Sequence, residues 1–163
     1  MTTTAIITDL EQLQEHEPLK ALLEWRREAV TGAKLDRGEL SIYVARDHMK
    51  ATALHLRDGL RFDYLSDLTC VDWYPNEPRF EVVYHLLSLE TKQRLRLKVP
   101  VAGGDAVVDS VTEVWPSANY YEREVLDLFG VGFAGHPYPR RLMMPENWQG
   151  HPLRKDYPVE GYR

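Results

Sequence analysis

The chain has 163 residues, of which 44% are hydrophobic and 28% are charged, a balance typical of one globular domain with at most an extended appendage. Its formal net charge of −5 argues against general nucleic-acid binding, which usually requires a basic surface. Its single cysteine, Cys70, excludes an internal disulfide and any all-cysteine zinc or iron–sulfur site within the chain.

The N-terminal region predicts two helical stretches. Thr8 and Glu11 have the spacing of a capping box, and Pro18 is expected to restart a helix whose apolar stripe continues to Gly32. A further helix is predicted over residues 47–58. The first residues lack the basic region and apolar core of a secretion signal, and no apolar run reaches the ~20 residues of a membrane span. The chain is therefore expected to reach a membrane only through a partner.

Four stretches predict strands of one sheet, because apolar residues alternate in them or form short apolar runs. They are residues 40–44, 64–73, 80–88 and 95–99. The later strands are joined by short turns, which favours antiparallel pairing. We therefore expect an α+β fold with an antiparallel sheet of about four strands, helices packed on it, and an extended C-terminal tail.

A last helix is predicted from Ser117 to Phe129, preceded by a second capping-box spacing at Ser110 and Glu113. Arg123 and Asp127 lie four residues apart on this helix, so they are placed to form an ion pair. Gly130 follows the helix, where a left-handed residue usually ends it.

The composition changes after Gly130. Five cationic and three acidic residues lie between His136 and Arg163, so this segment carries +2 and residues 1–135 carry −7. The segment also holds five of the ten prolines, and its apolar residues follow no helical or strand period. These residues are Phe133, Tyr138, Leu142, Met143, Met144, Trp148, Leu153 and Tyr157. We predict an α+β domain over residues 1–130 and an extended, partner-binding segment over residues 131–163, because protein interfaces are enriched in these residue types.

Catalytic and metal-binding interpretations of the same residues are less favoured. Glu122, Glu124 and His136 suit general acid–base catalysis by an independent enzyme, but Arg123 between the carboxylates favours an ion-paired or buried structural role. His136 and His151 are fifteen residues apart with no cysteine near them, which does not match common metal-ligand spacings.

Two basic pairs leave another alternative open. Arg140-Arg141 and Arg154-Lys155 suit a module that binds phosphate, nucleic acid or anionic lipid. The acidic charge of the whole chain makes this alternative weaker than a protein interface.

Several motifs together resemble one known family. Glu122-Arg123-Glu124, Asp127-Leu-Phe129, His136, Arg140 and Leu142-Met143 occur at the family's spacing, followed by Pro145-Glu-Asn-Trp148 and residues 150–158. This pattern resembles the 30 kDa subunit family of respiratory complex I, the family designated by the letter C among the subunits of NADH:quinone oxidoreductase. The resemblance is dense over residues 110–158 and looser over residues 62–99.

The resemblance implies a structural subunit of a proton-translocating complex, with no catalytic residue, metal or cofactor of its own. FMN and iron–sulfur clusters would lie in other subunits. The chain would dock on the 49 kDa quinone-site subunit, designated D in the same scheme, and on iron–sulfur subunits of the peripheral arm, at the cytoplasmic side of a bacterial membrane. The alternative is the equivalent subunit of a related membrane-bound hydrogenase or photosynthetic complex.

The predicted partner-contacting residues lie on the last helix and in the tail. They are Glu122, Arg123, Glu124, Asp127, Phe129, His136, Arg140, Arg141, Leu142, Trp148, His151, Leu153, Arg154, Lys155, Asp156 and Tyr157.

Overall fold

The computed structural model describes residues 6–162. The α-helices of this range are α1 Leu10–Leu13, α2 Leu19–Trp25, α3 Met49–Leu60 and α4 Ala118–Phe129. The strands of the same range are β1 Val30–Asp36, β2 Glu39–Val44, β3 Tyr64–Asp72, β4 Phe80–Leu87, β5 Arg94–Val101, β6 Val107–Asp109 and β7 Gly132–Ala134. None of these helices is long and apolar enough to cross a bilayer.

The main sheet has five strands in the order β1-β2-β5-β4-β3. After β2 the chain passes through α3 to the far edge of the sheet, and β4 and β5 then return toward β2. Because β5 arrives in the same direction as β2, these two strands pair in parallel, with Ile42 opposite Leu97. The other neighbours pair antiparallel. The α+β fold is confirmed, with five strands rather than about four and with one parallel pair.

The N-terminal helix prediction is wrong at both ends. Asp9, not Thr8, caps α1, and its carboxylate accepts the N–H of Glu11 at 2.9 Å. The predicted helix to Gly32 ends at Trp25, and β1 begins at Val30. Strand pairing explains the difference, because β-branched residues such as Val30 and Thr31 fit a pleated sheet better than a helix.

One face of the main sheet and all four helices share a single hydrophobic core. Residues of alternate positions in β2 to β5, including Ile42, Tyr84 and Leu97, join one buried cluster with Leu13, Leu22, Met49, Leu56, Val125 and Leu128 from the helices. The opposite face is polar, with Lys98 bonded to Glu81 at 2.7 Å and Arg96 bonded to Glu39 at 2.6 Å. The predicted wet face of β5 is therefore confirmed.

A small second sheet positions the end of α4 and the start of the tail. β6 and β7 pair in parallel, with Val108 opposite Phe133. Between them α4 packs along β3. Gly130 ends α4 with a φ of 72° and donates its N–H to Leu126 O, which confirms the predicted left-handed cap.

Candidate interface site on α4 and the C-terminal segment

Glu122 is a buried anchor on the inner side of α4. Its side chain is fully buried, Ser110 Oγ donates to it at 2.7 Å, and the Val111 N–H donates to its other oxygen at 2.7 Å. Burial raises the pKa of Glu122 to about 7, although these two hydrogen bonds act in the opposite direction. The predicted capping box at Ser110 is wrong, because the residues after it form turns and its hydroxyl binds Glu122.

His136 lies next to Glu122, with Nε2 3.9 Å from the carboxylate. Its Nδ1 accepts the N–H of Tyr138 at 2.9 Å, so the second nitrogen is the one that carries hydrogen and donates to Asn119 O at 3.1 Å. Both nitrogens are thus satisfied in the neutral ring. Glu122 consequently has no cationic partner among the described residues, and a structural role replaces the predicted ion pairing.

Asp127 binds the tail. Its side chain is fully buried, and Arg141 Nη1 donates to Oδ1 at 2.6 Å. The other oxygen accepts three successive N–H groups, from Leu142 at 3.0 Å and from Met143 and Met144 at 2.8 Å each. Burial acts to raise the pKa of Asp127, but these donors outweigh it and hold the pKa below 3.8.

The predicted Arg123–Asp127 ion pair is wrong. Arg123 instead donates from Nε to Arg140 O and from Nη2 to Arg141 O, both at 3.1 Å. The reason is that Asp127 lies on the buried side of α4, where only the returning tail reaches it. Both members of the predicted pair therefore bind the same short stretch of the tail from different sides.

The tail also satisfies the carbonyl groups that end α4, which have no partner inside the helix. Arg141 and His151 Nδ1 bond to Asp127 O, at 3.2 and 2.9 Å. The N–H of Leu153 donates to Leu128 O at 3.0 Å, and Arg154 Nε donates to Phe129 O. Arg141 reaches further, to the carbonyl groups of residues 148 and 150.

A second attachment joins the tail to the end of β3. Arg79 binds Asp72 through two hydrogen bonds of 3.0 and 2.9 Å and binds Asp156 through two of 3.0 and 2.6 Å. The Lys155 N–H adds a bond to Asp72 at 2.9 Å. Asp72 and Arg79 were not among the predicted site residues. The strand alternation that puts Leu68 and Cys70 on the core face also puts Asp72 there, and a carboxylate at such a position requires a partner.

The structure divides the predicted site residues into two groups. Glu122, Asp127, Phe129 and His136 are buried, and Arg141, His151, Arg154, Lys155 and Asp156 are bonded within the chain, which corrects the expectation that the tail charges serve only another protein. The exposed group consists of Glu124, Arg140, Leu142, Trp148 and Leu153. Arg123 and Tyr157 are half-buried. Their contact with partner subunits stays a prediction.

The described residues offer little for catalysis. They contain no cluster of three histidine, cysteine or acidic side chains that could hold a metal ion. Burial raises the pKa of the Cys70 thiol to about 12, which makes thiolate chemistry unfavourable. The bonds of Glu122 and Asp127 are all directed into the protein, so these carboxylates fix the tail and face no cavity.

Most of the chain matches one protein family. The family described as respiratory-chain NADH dehydrogenase, 30 Kd subunit, matches residues 42–163. Similar curated proteins are NADH-quinone oxidoreductase subunits that carry the designation C. The one from Roseiflexus sp. (strain RS-1) is 48% identical over 145 residues and is matched over 88% of this chain and 82% of its own length. The one from Citrifermentans bemidjiense is 44% identical over 139 residues, with 83% and 86% covered.

Two solved structures share the fold. A trypsin-resistant fragment (1–134) of Nqo5 is 33% identical with a TM-score of 0.66, covering 73% of this chain and 96% of the fragment. A chain of the membrane-bound sulfane sulfur reductase, an archaeal respiratory membrane complex, is 32% identical with a TM-score of 0.71, covering 88% and 85%.

Proposed function

Because the chain belongs to the 30 kDa subunit family of respiratory-chain NADH dehydrogenases, we propose that it is a structural subunit of the peripheral arm of an NADH:quinone oxidoreductase. In this proposal it carries no cofactor and docks on the 49 kDa quinone-site subunit and on iron–sulfur subunits. It thereby supports electron transfer from NADH to quinone, while FMN and the clusters lie in other subunits. The arm lies at the cytoplasmic side of the membrane, which the chain reaches only through the complex.

The observation that supports docking is the internal fixation of the tail. Asp127 and Asp72 hold it at two places, so the backbone of residues 141–156 is ordered before any partner binds. A surface that is already ordered loses less conformational entropy on association. The tail is therefore better suited to be a preformed interface than a segment that folds on binding.

Large apolar side chains face outward from this fixed backbone. Met143 is 63% exposed and Leu153 is 52% exposed, and Tyr138, Leu142 and Trp148 are also exposed. Methionine, aromatic residues and arginine are enriched at protein interfaces, and exposed apolar clusters commonly mark them. The segment 131–163 is accordingly the proposed partner-binding part of the chain.

Site-specific photo-crosslinking in the native host tests the docking. A photoreactive amino acid in place of Met143 or Leu153 is expected to cross-link to the quinone-site subunit or an iron–sulfur subunit. The control position is Leu89, which is 50% exposed in the turn between β4 and β5, outside the tail. Cross-links from position 89 to those subunits, with none from positions 143 and 153, would contradict the proposal.

A second candidate is the equivalent subunit of a related membrane complex, such as a membrane-bound hydrogenase or a photosynthetic complex. The similarity to a chain of the membrane-bound sulfane sulfur reductase favours keeping it. The two candidates differ in their partners. Purification through a tag on this chain, followed by mass spectrometry, is expected to recover flavin-containing NADH-oxidising subunits. Recovery of a nickel–iron subunit without those subunits would support the second candidate.

A further inference from the structure

A tyrosine between two arginines lies where α4 meets the tail. The guanidinium carbons of Arg123 and Arg140 are 5.2 and 4.8 Å from the centre of the Tyr138 ring. The backbone of Tyr138 is fixed, because its N–H donates to the buried His136 and its carbonyl accepts the N–H of Arg140. Prolines on both sides of Tyr138 restrict it further. The ring and the two cations therefore form a preorganised group.

The cations of this group have few acceptors within the chain. Within residues 6–162 the Arg140 side chain makes no hydrogen bond, and its one ionic neighbour is Glu146 at 3.9 Å, whose side chain is 84% exposed. Arg140 itself is 60% exposed. Arg123 uses Nε and Nη2 on carbonyl groups and contacts no carboxylate in this range. A guanidinium has five N–H donors, so most of those on Arg140 remain available.

Apolar side chains continue the same surface. Because Asp127 accepts the N–H groups of Leu142 and Met143, the backbone there is turned inward and these two side chains are 38% and 63% exposed. Arg123, Tyr138, Arg140, Leu142 and Met143 together are named the Arg140 surface. It combines accessible positive charge with apolar area in a chain whose net charge is −5.

We propose that the Arg140 surface binds a partner segment that carries a carboxylate next to an apolar side chain; this inference rests on the proposed function. The carboxylate would accept hydrogen bonds from Arg140, which presents two parallel donors suited to a carboxylate. The apolar side chain would cover Leu142 and Met143. The partner surface is thus acidic at this point.

A polypeptide fits better than a phosphate polymer or a lipid surface. Phosphate-rich partners are usually met by many cations, whereas this surface has two, beside Glu146 and on an acidic chain. Bases or lipid headgroups would also leave the exposed Met143 without an apolar counterpart.

The test uses the whole complex, purified from the native host through a tag on this chain. The variants are Arg140→Glu and the milder Arg140→Gln, with Arg37→Glu as the matched control because Arg37 is 90% exposed in the turn between β1 and β2. We expect Arg140→Glu to lower the partner subunits retained per chain at least about tenfold, and more at raised salt. We expect Arg140→Gln to have an intermediate effect and the control to match the wild type. Thermal unfolding of each isolated variant separates lost binding from lost folding, and the Gln variant replaces the Glu variant if the latter unfolds.

A covalent readout identifies the partner group. A carbodiimide joins amines to carboxylates without a spacer, so Arg140→Lys is expected to give a cross-link to an aspartate or glutamate of a partner subunit, and Arg37→Lys is not. If the tagged wild type recovers no partner subunits, the proposed function fails. If it does recover them, but Arg140→Glu and Arg140→Gln behave like Arg37→Glu, or the only cross-link is to Glu146, the inference about the Arg140 surface is overturned and the proposed function stands. Loss of retention that disappears after delipidation would assign the surface to lipid and overturn the inference as well.

Discussion

Replacing Glu122 by glutamine isolates the effect of burying an unpaired carboxylate. The amide oxygen of glutamine can accept the Val111 N–H, and its NH₂ can donate to Ser110 Oγ, which then donates to Thr112 Oγ1 as in the 2.9 Å contact already present. The side-chain shape and the neighbouring bonds are thus preserved. What the substitution removes is a group that gains a charge as the pH rises.

The magnitude follows from the pKa. In the folded protein the pKa of Glu122 is about 7 against an ordinary value of 4.5, because of burial. The folded state therefore holds this proton more tightly than the unfolded state. The resulting stabilisation is fully present below pH 4.5 and is lost as the pH rises through about 7. Between about pH 5 and about pH 8 the loss is roughly 2–3 kcal/mol, since one pKa unit corresponds to about 1.4 kcal/mol.

The assay is urea or thermal unfolding of the full chain at several pH values. The free energy of unfolding of the wild type, minus that of Glu122→Gln, is expected to fall by roughly 2–3 kcal/mol from about pH 5 to about pH 8, or about 5–10 °C in Tm. Glu124→Gln, an exposed position on the same helix, is the control and should show a nearly constant difference. A Glu122→Gln difference that is independent of pH would refute the reasoning.

Three further predictions concern stability and reactivity. Arg141→Ala leaves the buried carboxylate of Asp127 without its countercharge and is expected to lower the free energy of unfolding by about 3–5 kcal/mol in urea titrations. Gly130→Ala should cost more than about 1 kcal/mol in the same assay, because φ is 72° and an added Cβ meets tail side chains, whereas Gly104→Ala, with open space around it, should cost less than about 0.5 kcal/mol. The thiol of Cys70, with a pKa of about 12, should react with a thiol reagent at pH 8 only after denaturation.

The controls for these predictions come from the same chain. Arg140→Ala removes an exposed arginine next to Arg141 and should cost no more than about 1 kcal/mol, so equal losses at the two positions would contradict the assigned role of Asp127. Equal losses at Gly130 and Gly104 would contradict the left-handed cap. Modification of native Cys70 at the rate seen in urea would show that the thiol is accessible.

Local patterns predicted the elements whose residues face the core regularly. The strands from Tyr64 to Val101 and the helix ending at Gly130 were predicted within a few residues, because alternation and a terminal glycine are short-range features. The prediction for residues 30–36 was wrong, since Val30 continues a helical stripe and only pairing with β2 makes it a strand. The parallel β2–β5 pair was missed for a related reason, because strand order depends on the path of α3 across the sheet.

The candidate site shows the same division. Sequence spacing pointed to the correct segment, since the family resemblance was densest over residues 110–158 and both attachments of the tail involve residues of this range. It did not give the partners of Asp127, because a four-residue rule considers only the helix and the true donors lie at positions 141–144. Likewise, no local pattern connects Asp72 and Arg79 with Asp156, which is 77 residues beyond Arg79.

The two attachments of the tail determine how a mechanical load would pass through the protein. A force that pulls on the chain at Tyr162 first meets the bonds of Asp156 and Lys155 to Arg79 and Asp72, at the end of β3. Only after these yield does the load reach Arg154 and then Asp127 on α4, a helix that itself packs along β3. Both steps transmit force to the same edge strand, so tension on the tail bypasses the centre of the sheet and is resisted by ion pairs in succession.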